Sequence, residues 1–316
     1  MAEQKQKNAD FRTSIGGQAL IEGIMMRGPK KQAIVCRTPE GFKTQITDVR
    51  SPKEKSAVLG WPLIRGVVNF IASMTAGVKA LMFSAECLPE EEQEEPSKLD
   101  LWIEKHFNAE TAGKLIISLS VVFGVAVAVG LFILLPTFLA GLFAPLISAP
   151  LLRSLAEGLL RIVIFIAYIW LCSRLKDIKR VWQYHGAEHK TIFCYEKGLP
   201  LTVENVRPQR RFHPRCGTSF LFLVMIVSIL LFSFVKWSNV WTRMLFRLLL
   251  LPVVVGISYE LIKFAGRHDN LLTKIISAPG KALQRLTTAE PDDSMIETAI
   301  EALKLVIPEE KGADAW

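Results

Sequence analysis

The chain has 316 residues, 50% of them apolar and 22% charged, with a formal net charge of +8 and a mean hydropathy of +0.30. That hydropathy excludes an ordinary soluble composition, and the charge is unevenly spread: none falls between Lys114 and Arg153, or between Arg215 and Lys236. Apolar stretches of about 18 or more residues mark membrane spans, and the surplus positive charge borders them, which fits membrane topology rather than a nucleic-acid partner.

Five scattered cysteines (Cys36, Cys87, Cys172, Cys194 and Cys216) suggest no disulfide framework and fit a reducing cytoplasmic setting. The polar start, Met1 to Arg12, lacks the apolar stretch of a cleavable signal peptide, so insertion is expected to rely on internal spans.

In chain order, residues 1–60 read as a small β-rich unit. Gln18 to Arg27, Ala33 to Arg37 and Phe42 to Val49 are strand-like, separated by Gly28-Pro29-Lys30-Lys31 and Thr38-Pro39-Glu40-Gly41, both turn-forming strings. Three strands alone would be marginal, so the sheet is expected to pack on another element. Residues 62–87 have a helical pattern in which Arg65, Asn69 and Ser73 form a polar stripe. Such an amphipathic helix suits the membrane interface or the side of a helix bundle. An acidic linker and a short helix fill residues 88–113, with Pro89 to Lys98 a solvated spacer.

Residues 114–264 are expected to form a bundle of four spans: Leu115–Leu135, Ser154–Cys172, Thr218–Val235 and Leu248–Phe264. The first charge-free run continues to Leu152, roughly 57 Å as helix. That is too long for one crossing of about 30 Å, and Pro136, Pro145 and Pro150 interrupt it. Glu157 and Arg161, four apart, suit an ion pair inside the second span. Glu260, near the end of the fourth, is a further functional candidate, with Lys263 or Arg267 as partners. Residues 265–316 form a polar tail with a helix from Asp293 to Leu305, capped by Asp292 or Asp293.

Ten Lys/Arg lie in residues 173–217. The positive-inside rule makes this loop cytoplasmic, and four spans then place both termini on that side.

The loop carries His185-Gly186-Ala187-Glu188-His189, and His213-Pro214-Arg215-Cys216 follows. Two histidines four apart share one helix face, and the order H-x-x-E-H is that of inverzincins, where both histidines hold zinc and the Glu acts as base. The reading is a divalent metal, zinc first, held by His185, His189, His213 and Cys216, with Glu188 as candidate catalytic base. A closed shell of four ligands points to a structural metal; one ligand fewer leaves a position for catalysis. His268 follows the fourth span and belongs to the same zone. Glu260, far downstream of His189, matches the place of the inverzincin third ligand only in spacing. Gly16-Gly17 and Gly28-Pro29 fit no phosphate loop and read as turns.

Four strings carry a resemblance: Gly16-Gly17-Gln18-Ala19-Leu20-Ile21-Glu22-Gly23-Ile24-Met25-Met26-Arg27-Gly28-Pro29, His185-Gly186-Ala187-Glu188-His189-Lys190-Thr191, Leu201-Thr202-Val203-Glu204-Asn205-Val206 and His213-Pro214-Arg215-Cys216-Gly217-Thr218-Ser219. The chain resembles, over most of its length, the YqhQ family of bacterial membrane proteins, a family of uncharacterised function. The resemblance implies a multi-pass protein of the bacterial cytoplasmic membrane. Members are sometimes described as predicted metal-dependent enzymes, a description that draws on the same His and Cys residues.

Two functions follow from the residues. One is a metal-dependent hydrolase acting on a membrane-associated substrate, with Arg210, Arg211 and Arg215 suited to an anionic head group. The other is a non-enzymatic membrane scaffold or regulatory factor that docks a translocase, a membrane protease or another envelope complex. Beyond the lipid bilayer and such a membrane-protein partner, the sequence sets no oligomeric state. Transport is disfavoured, because polar residues in the spans are few and no repeat relates the halves.

Overall fold

The computed structural model describes residues 11–50, 56–89, 97–143, 147, 149–233, 240–268, 270–310 and 312–315. The first ten residues, most of the acidic linker (90–96), Pro145 and the end of the expected third span (234–235) lie outside the described residues. The chain divides into two compact units. The first comprises Met1–Pro89, Tyr168–Val227 and Pro252–Trp316; the second comprises Glu90–Ala167 and Ser228–Leu251.

The amino-terminal region is a four-stranded antiparallel meander of β1 (Gly16–Leu20), β2 (Gly23–Arg27), β3 (Lys31–Thr38) and β4 (Gly41–Asp48). One long strand was expected over Gln18–Arg27. Instead Ile21-Glu22 makes a two-residue turn, with Leu20 opposite Gly23 and Glu22 at φ 48°. A two-residue hairpin needs this left-handed backbone, and Glu22 adopts it without being glycine.

Helices follow: α1 (Ile64–Glu86), α2 (Lys98–His106), α3 (Ala109–Val129), a π turn (Gly130–Leu134), α4 (Leu135–Phe143), α5 (Pro150–Cys172), α6 (Lys176–Glu196), α7 (Val203–Val206), α8 (Gly217–Ser233), α9 (Val240–Arg267), α10 (Leu271–Thr287) and α11 (Asp293–Lys304). Pro136 does not end the first apolar helix. The chain widens into a π turn just before it, which accommodates the missing backbone donor. The tail holds two helices where one was expected. The anticipated one is α11, capped by Asp292, whose Oδ1 accepts from Met295 N at 2.9 Å. The unanticipated one, α10, starts with an Asn270 capping box and continues through Pro279.

Both faces of the central strands β2 and β3 are covered, which answers the marginal stability of an isolated meander, while β4 is exposed along its length. Strand alternation sends Ile24, Met26, Ala33 and Val35 into one core with Tyr184 and Ala187 of α6 and Met295, Ala299 and Leu303 of α11. The opposite residues, Leu20, Met25, Ile34 and Cys36, meet Ala80, Phe83 and Cys87 at the end of α1. Each large side chain so buried contributes about 1.5–3 kcal/mol. The polar stripe of α1 also finds partners: Arg65 pairs with Glu260 (Nε–Oε1 2.6 Å) and Asn69 Nδ2 donates to Tyr259 Oη at 3.0 Å. The hydrogen-bonded partner of Glu260 thus comes from α1, with the charge of Lys263 also acting on its carboxylate.

Among the described residues four helices are long and apolar enough to cross a membrane: Ile64–Glu86, Thr111–Leu142, Leu152–Cys172 and Met244–Arg267, with Gly217–Ser233 a shorter apolar helix. The count of four equals the expected one, but its membership differs. Ile64–Glu86 qualifies by length and composition, and the described part of the expected third span is 17 residues long. In the second unit Glu157 of α5 is buried with Arg161 and with Arg247 of α9. Arg247 precedes the last span expected from sequence, Leu248–Phe264; α9 begins earlier, at Val240, and includes it.

Candidate functional site

The expected site is organised by α6. Tyr184 to Thr191 are all buried, because the sheet and α11 pack on one side of the helix while residues 287–291 cross another. Gly186 permits this crossing: a Cβ there would lie 2.0 Å from the carbonyl oxygen of Ala289. The glycine within the His-Gly-Ala-Glu-His string is thus a close-approach residue.

His185, His189 and Cys216 converge. Their donor atoms lie within 4.8 Å of one another, with His185 Nε2 3.1 Å from Cys216 Sγ. Each histidine is pinned from behind by a backbone carbonyl, His185 Nδ1 by Thr287 O at 2.7 Å and His189 Nδ1 by Arg211 O at 2.5 Å. A carbonyl only accepts, so both Nδ1 atoms carry the proton. In the neutral rings both Nε2 atoms then present lone pairs. His189 Nε2 is buried without a hydrogen-bond partner. Burial lowers the His189 pKa and keeps that ring neutral. For Cys216, burial alone would push the thiol up. The neighbouring His189 and the bonds from Thr218 outweigh it and hold the pKa below the usual thiol value.

Glu188 stands beside this cluster, buried, its Oε1 accepting from Gly17 N at 3.0 Å. Burial pushes its carboxyl up to about 7, with His185 and the Gly17 N–H pulling it back and Cys216 adding to the rise. A carboxyl poised near neutrality suits proton transfer. Gly17, read from sequence as part of a turn, is in strand β1, and a Cβ on it would lie 2.7 Å from Met25 O and 3.0 Å from the Glu188 Cδ.

His213 is close, its ring 5.5 Å from that of His189, yet it lies outside the three-donor group. Its Nδ1 accepts from Arg215 N at 3.4 Å, and its Nε2 faces Glu196 Oε2 at 3.8 Å. Arg215 Nη2 also lies 3.4 Å from His213 Nε2, so this ring is engaged by Arg215 and Glu196 and not by the other two histidines and Cys216. Gln284 of α10 clamps its backbone, accepting from His213 N and donating to His213 O, each at 2.7 Å. Burial would raise Glu196, but His213 and Arg215 outweigh it and hold that carboxylate below its usual range. His268 is exposed, stacks on Phe264 and takes no part in the cluster.

Sequence reasoning missed Gly17, Thr287, Arg211 and Gln284, whose roles are played by backbone groups or from distant segments. It also missed Glu22, whose carboxylate pairs with Arg180 and accepts from Tyr184 Oη at 3.2 Å.

Fold and site together define a mostly helical chain with four long apolar helices among the described residues, a small antiparallel sheet and a buried His/Cys cluster between α6 and the start of α8. The chain belongs to the family described as "Protein of unknown function (DUF1385)", which matches residues 61–309. It is 35% identical over 294 residues to the "Uncharacterized protein YqhQ" of Bacillus subtilis (strain 168), covering 91% of this chain and 90% of that protein. No solved structure matches it.

Proposed function

We propose that this chain is a multi-pass protein of the bacterial cytoplasmic membrane, with both termini on the cytoplasmic side, that holds one divalent metal ion, zinc, through His185, His189 and Cys216. The observation that carries this reading is the pair of carbonyl-pinned imidazoles aiming two lone pairs at one thiol. Hydrogen bonding of the remote ring nitrogen is the usual support of a metal-binding histidine. A nitrogen and sulfur donor set suits zinc. Tetrahedral zinc places its donors roughly 3.5 Å apart, so a group spanning at most 4.8 Å needs small adjustments.

Three protein donors leave one coordination position open, the arrangement of catalytic zinc sites. The bound ion would supply Lewis acidity there. Glu188 would take and return the proton of a hydrolytic step, and the Gly17 N–H holds its carboxylate in place. The substrate class is a membrane-associated ester, amide or phosphoester.

A second reading rests on the burial of the same residues, with Glu188 5% and His189 1% exposed. In it the ion is structural, tying α6 to the start of α8 in a scaffold that docks another membrane protein.

The test is metal content per chain in the detergent-purified protein, with His185→Ala, Cys216→Ser and Glu188→Gln beside the wild type. Near one zinc per chain is expected in the wild type and in Glu188→Gln, with loss in the other two. A folded wild-type sample without metal overturns the metal reading. Complementation of a deletion strain separates the two roles: Glu188→Gln fails if the site is catalytic and succeeds if the ion is structural.

A further inference from the structure

The first unit holds a second polar feature, a cavity of about 560 Å³ walled by Arg12, Lys197, Arg215, Lys274, Lys281 and His268. Its volume falls in the range of small-ligand sites. One carboxylate, Glu196, is on the wall, and Arg215, His213 and the Thr13 N–H already engage it. Arg12 is anchored by Gly266 O at 3.3 Å, just where α9 ends, and Lys197 Nζ by Gln209 at 2.7 Å. Lys281 has no acceptor among the described residues. Burial lowers the Arg215 pKa, Glu196 offsets part of this, and the charge of Arg12 lowers it again. Cations drawn to one hollow repel one another until an anion sits among them.

Helix α10 contributes Thr273, Lys274, Ser277 and Lys281 to the wall. On nearly the opposite face of the helix, about 150° round at 3.6 residues per turn, stand Leu271, Leu272 and Ile275, exposed by 75%, 54% and 60%. The apolar helix α9 ends three residues before α10 begins. A cationic hollow at the mouth of a long apolar helix, walled in part by Ala265 and His268 from the end of that helix, has the charge of a headgroup site at a membrane interface.

We propose that this cavity, at the end of the apolar helix α9, binds the phosphate of an anionic phospholipid headgroup. Lys274 and Lys281 contact the phosphate, while Arg12 and Arg215 set its depth. The lipid source rests on the membrane reading above; the phosphate site itself does not.

The full chain in detergent, titrated with phosphatidylglycerol and with phosphatidylcholine of the same acyl chains, tests this by native mass spectrometry. Phosphatidylglycerol is expected to be retained roughly tenfold better, and Lys274→Gln/Lys281→Gln to bring the two lipids level. Lys304→Gln, at an exposed lysine on α11, should change nothing. Equal retention of the lipids by the wild type overturns the proposal, as does an unchanged preference in the double variant or in both single variants. Calorimetry with inorganic pyrophosphate separates the sources: tight pyrophosphate binding without a lipid preference assigns the cavity to a soluble phosphate and overturns the lipid. A chain that sediments with membranes only in the absence of salt overturns the membrane reading, while the pyrophosphate arm still reports on the site.

Discussion

Two buried polar clusters of this chain solve the same problem in opposite ways. In the second unit Glu157, Arg161 and Arg247 are almost fully buried as full charges. Arg247 Nη2 reaches Glu157 Oε2 at 2.7 Å, Arg161 Nη1 donates to Ser228 Oγ at 2.8 Å, and Thr137 Oγ1 donates to Glu157 Oε1 at 2.8 Å. Two guanidiniums exceed one carboxylate, and both stand near the ring of Phe232, at 5.8 and 5.3 Å from its centroid. A ring face attracts cations, so the excess charge is met inside the cluster. The His185–His189–Cys216 cluster is instead pinned by carbonyls behind the rings, and its inner lone pairs converge without a proton donor for each. The first arrangement keeps a spare donor, Arg161 Nε, and the second a spare acceptor, His189 Nε2, of the kind a cation takes. Burial alone therefore does not mark a ligand site. The direction in which hydrogen-bonding capacity is left over does.

The sharpest way to break this contrast is to remove one member from each cluster and measure unfolding in detergent. Glu157→Ala strands two buried guanidiniums and should cost about 3–5 kcal/mol. Cys216→Ser in the chelator-treated chain should cost under about 1.5 kcal/mol, because the thiol there completes no charge pair. If both losses were equal, the distinction between a closed and an open cluster would fail.

The next effect is a pH dependence. Glu188 has a carboxyl raised to about 7 in the folded chain, above its ordinary value. Its contribution is fully present below the unfolded pKa, near 4.5, and is lost as pH rises through about 7. The metal-free wild type should lose stability relative to Glu188→Gln between pH 5 and 8, by on the order of 3 kcal/mol. Urea unfolding of both proteins at a series of pH values checks this, and parallel curves would place Glu188 in a solvated setting. The smallest effect is expected from Phe232→Leu. It removes the ring under both guanidiniums and should lower stability by about 1–2 kcal/mol, against no change in zinc content. A loss of metal in that variant would couple the clusters and undo the comparison.

Legibility in the sequence followed the range of the interaction. The four-residue spacing of His185 and His189 fixes a shared helix face, and α6 presents them so. The strand-like run Ala33–Arg37, which lies in β3, and the Asp292 cap were equally readable, because each depends on neighbours within a few residues. The Ile21-Glu22 turn was not, since Glu22 adopts a left-handed backbone that residue preference assigns to glycine or asparagine. Glu260 showed itself as a charge needing a partner, but Arg65 lies 195 residues away.

The amino-acid sequence by itself determined the apolar helices, the small sheet, the family and the donor atoms available to a metal. All of these are set by composition and by short periodicities. Only the tertiary structure decided which donors meet. It turned His213 toward Glu196 through the clamp of Gln284, 71 residues away, and placed the Thr287 and Arg211 carbonyls behind the other two rings. It also gathered the cationic cavity from the chain's start, the end of α6, the turn before α8 and the face of α10. These choices rest on backbone groups every residue possesses and on contacts between distant segments, and neither leaves a mark on local sequence.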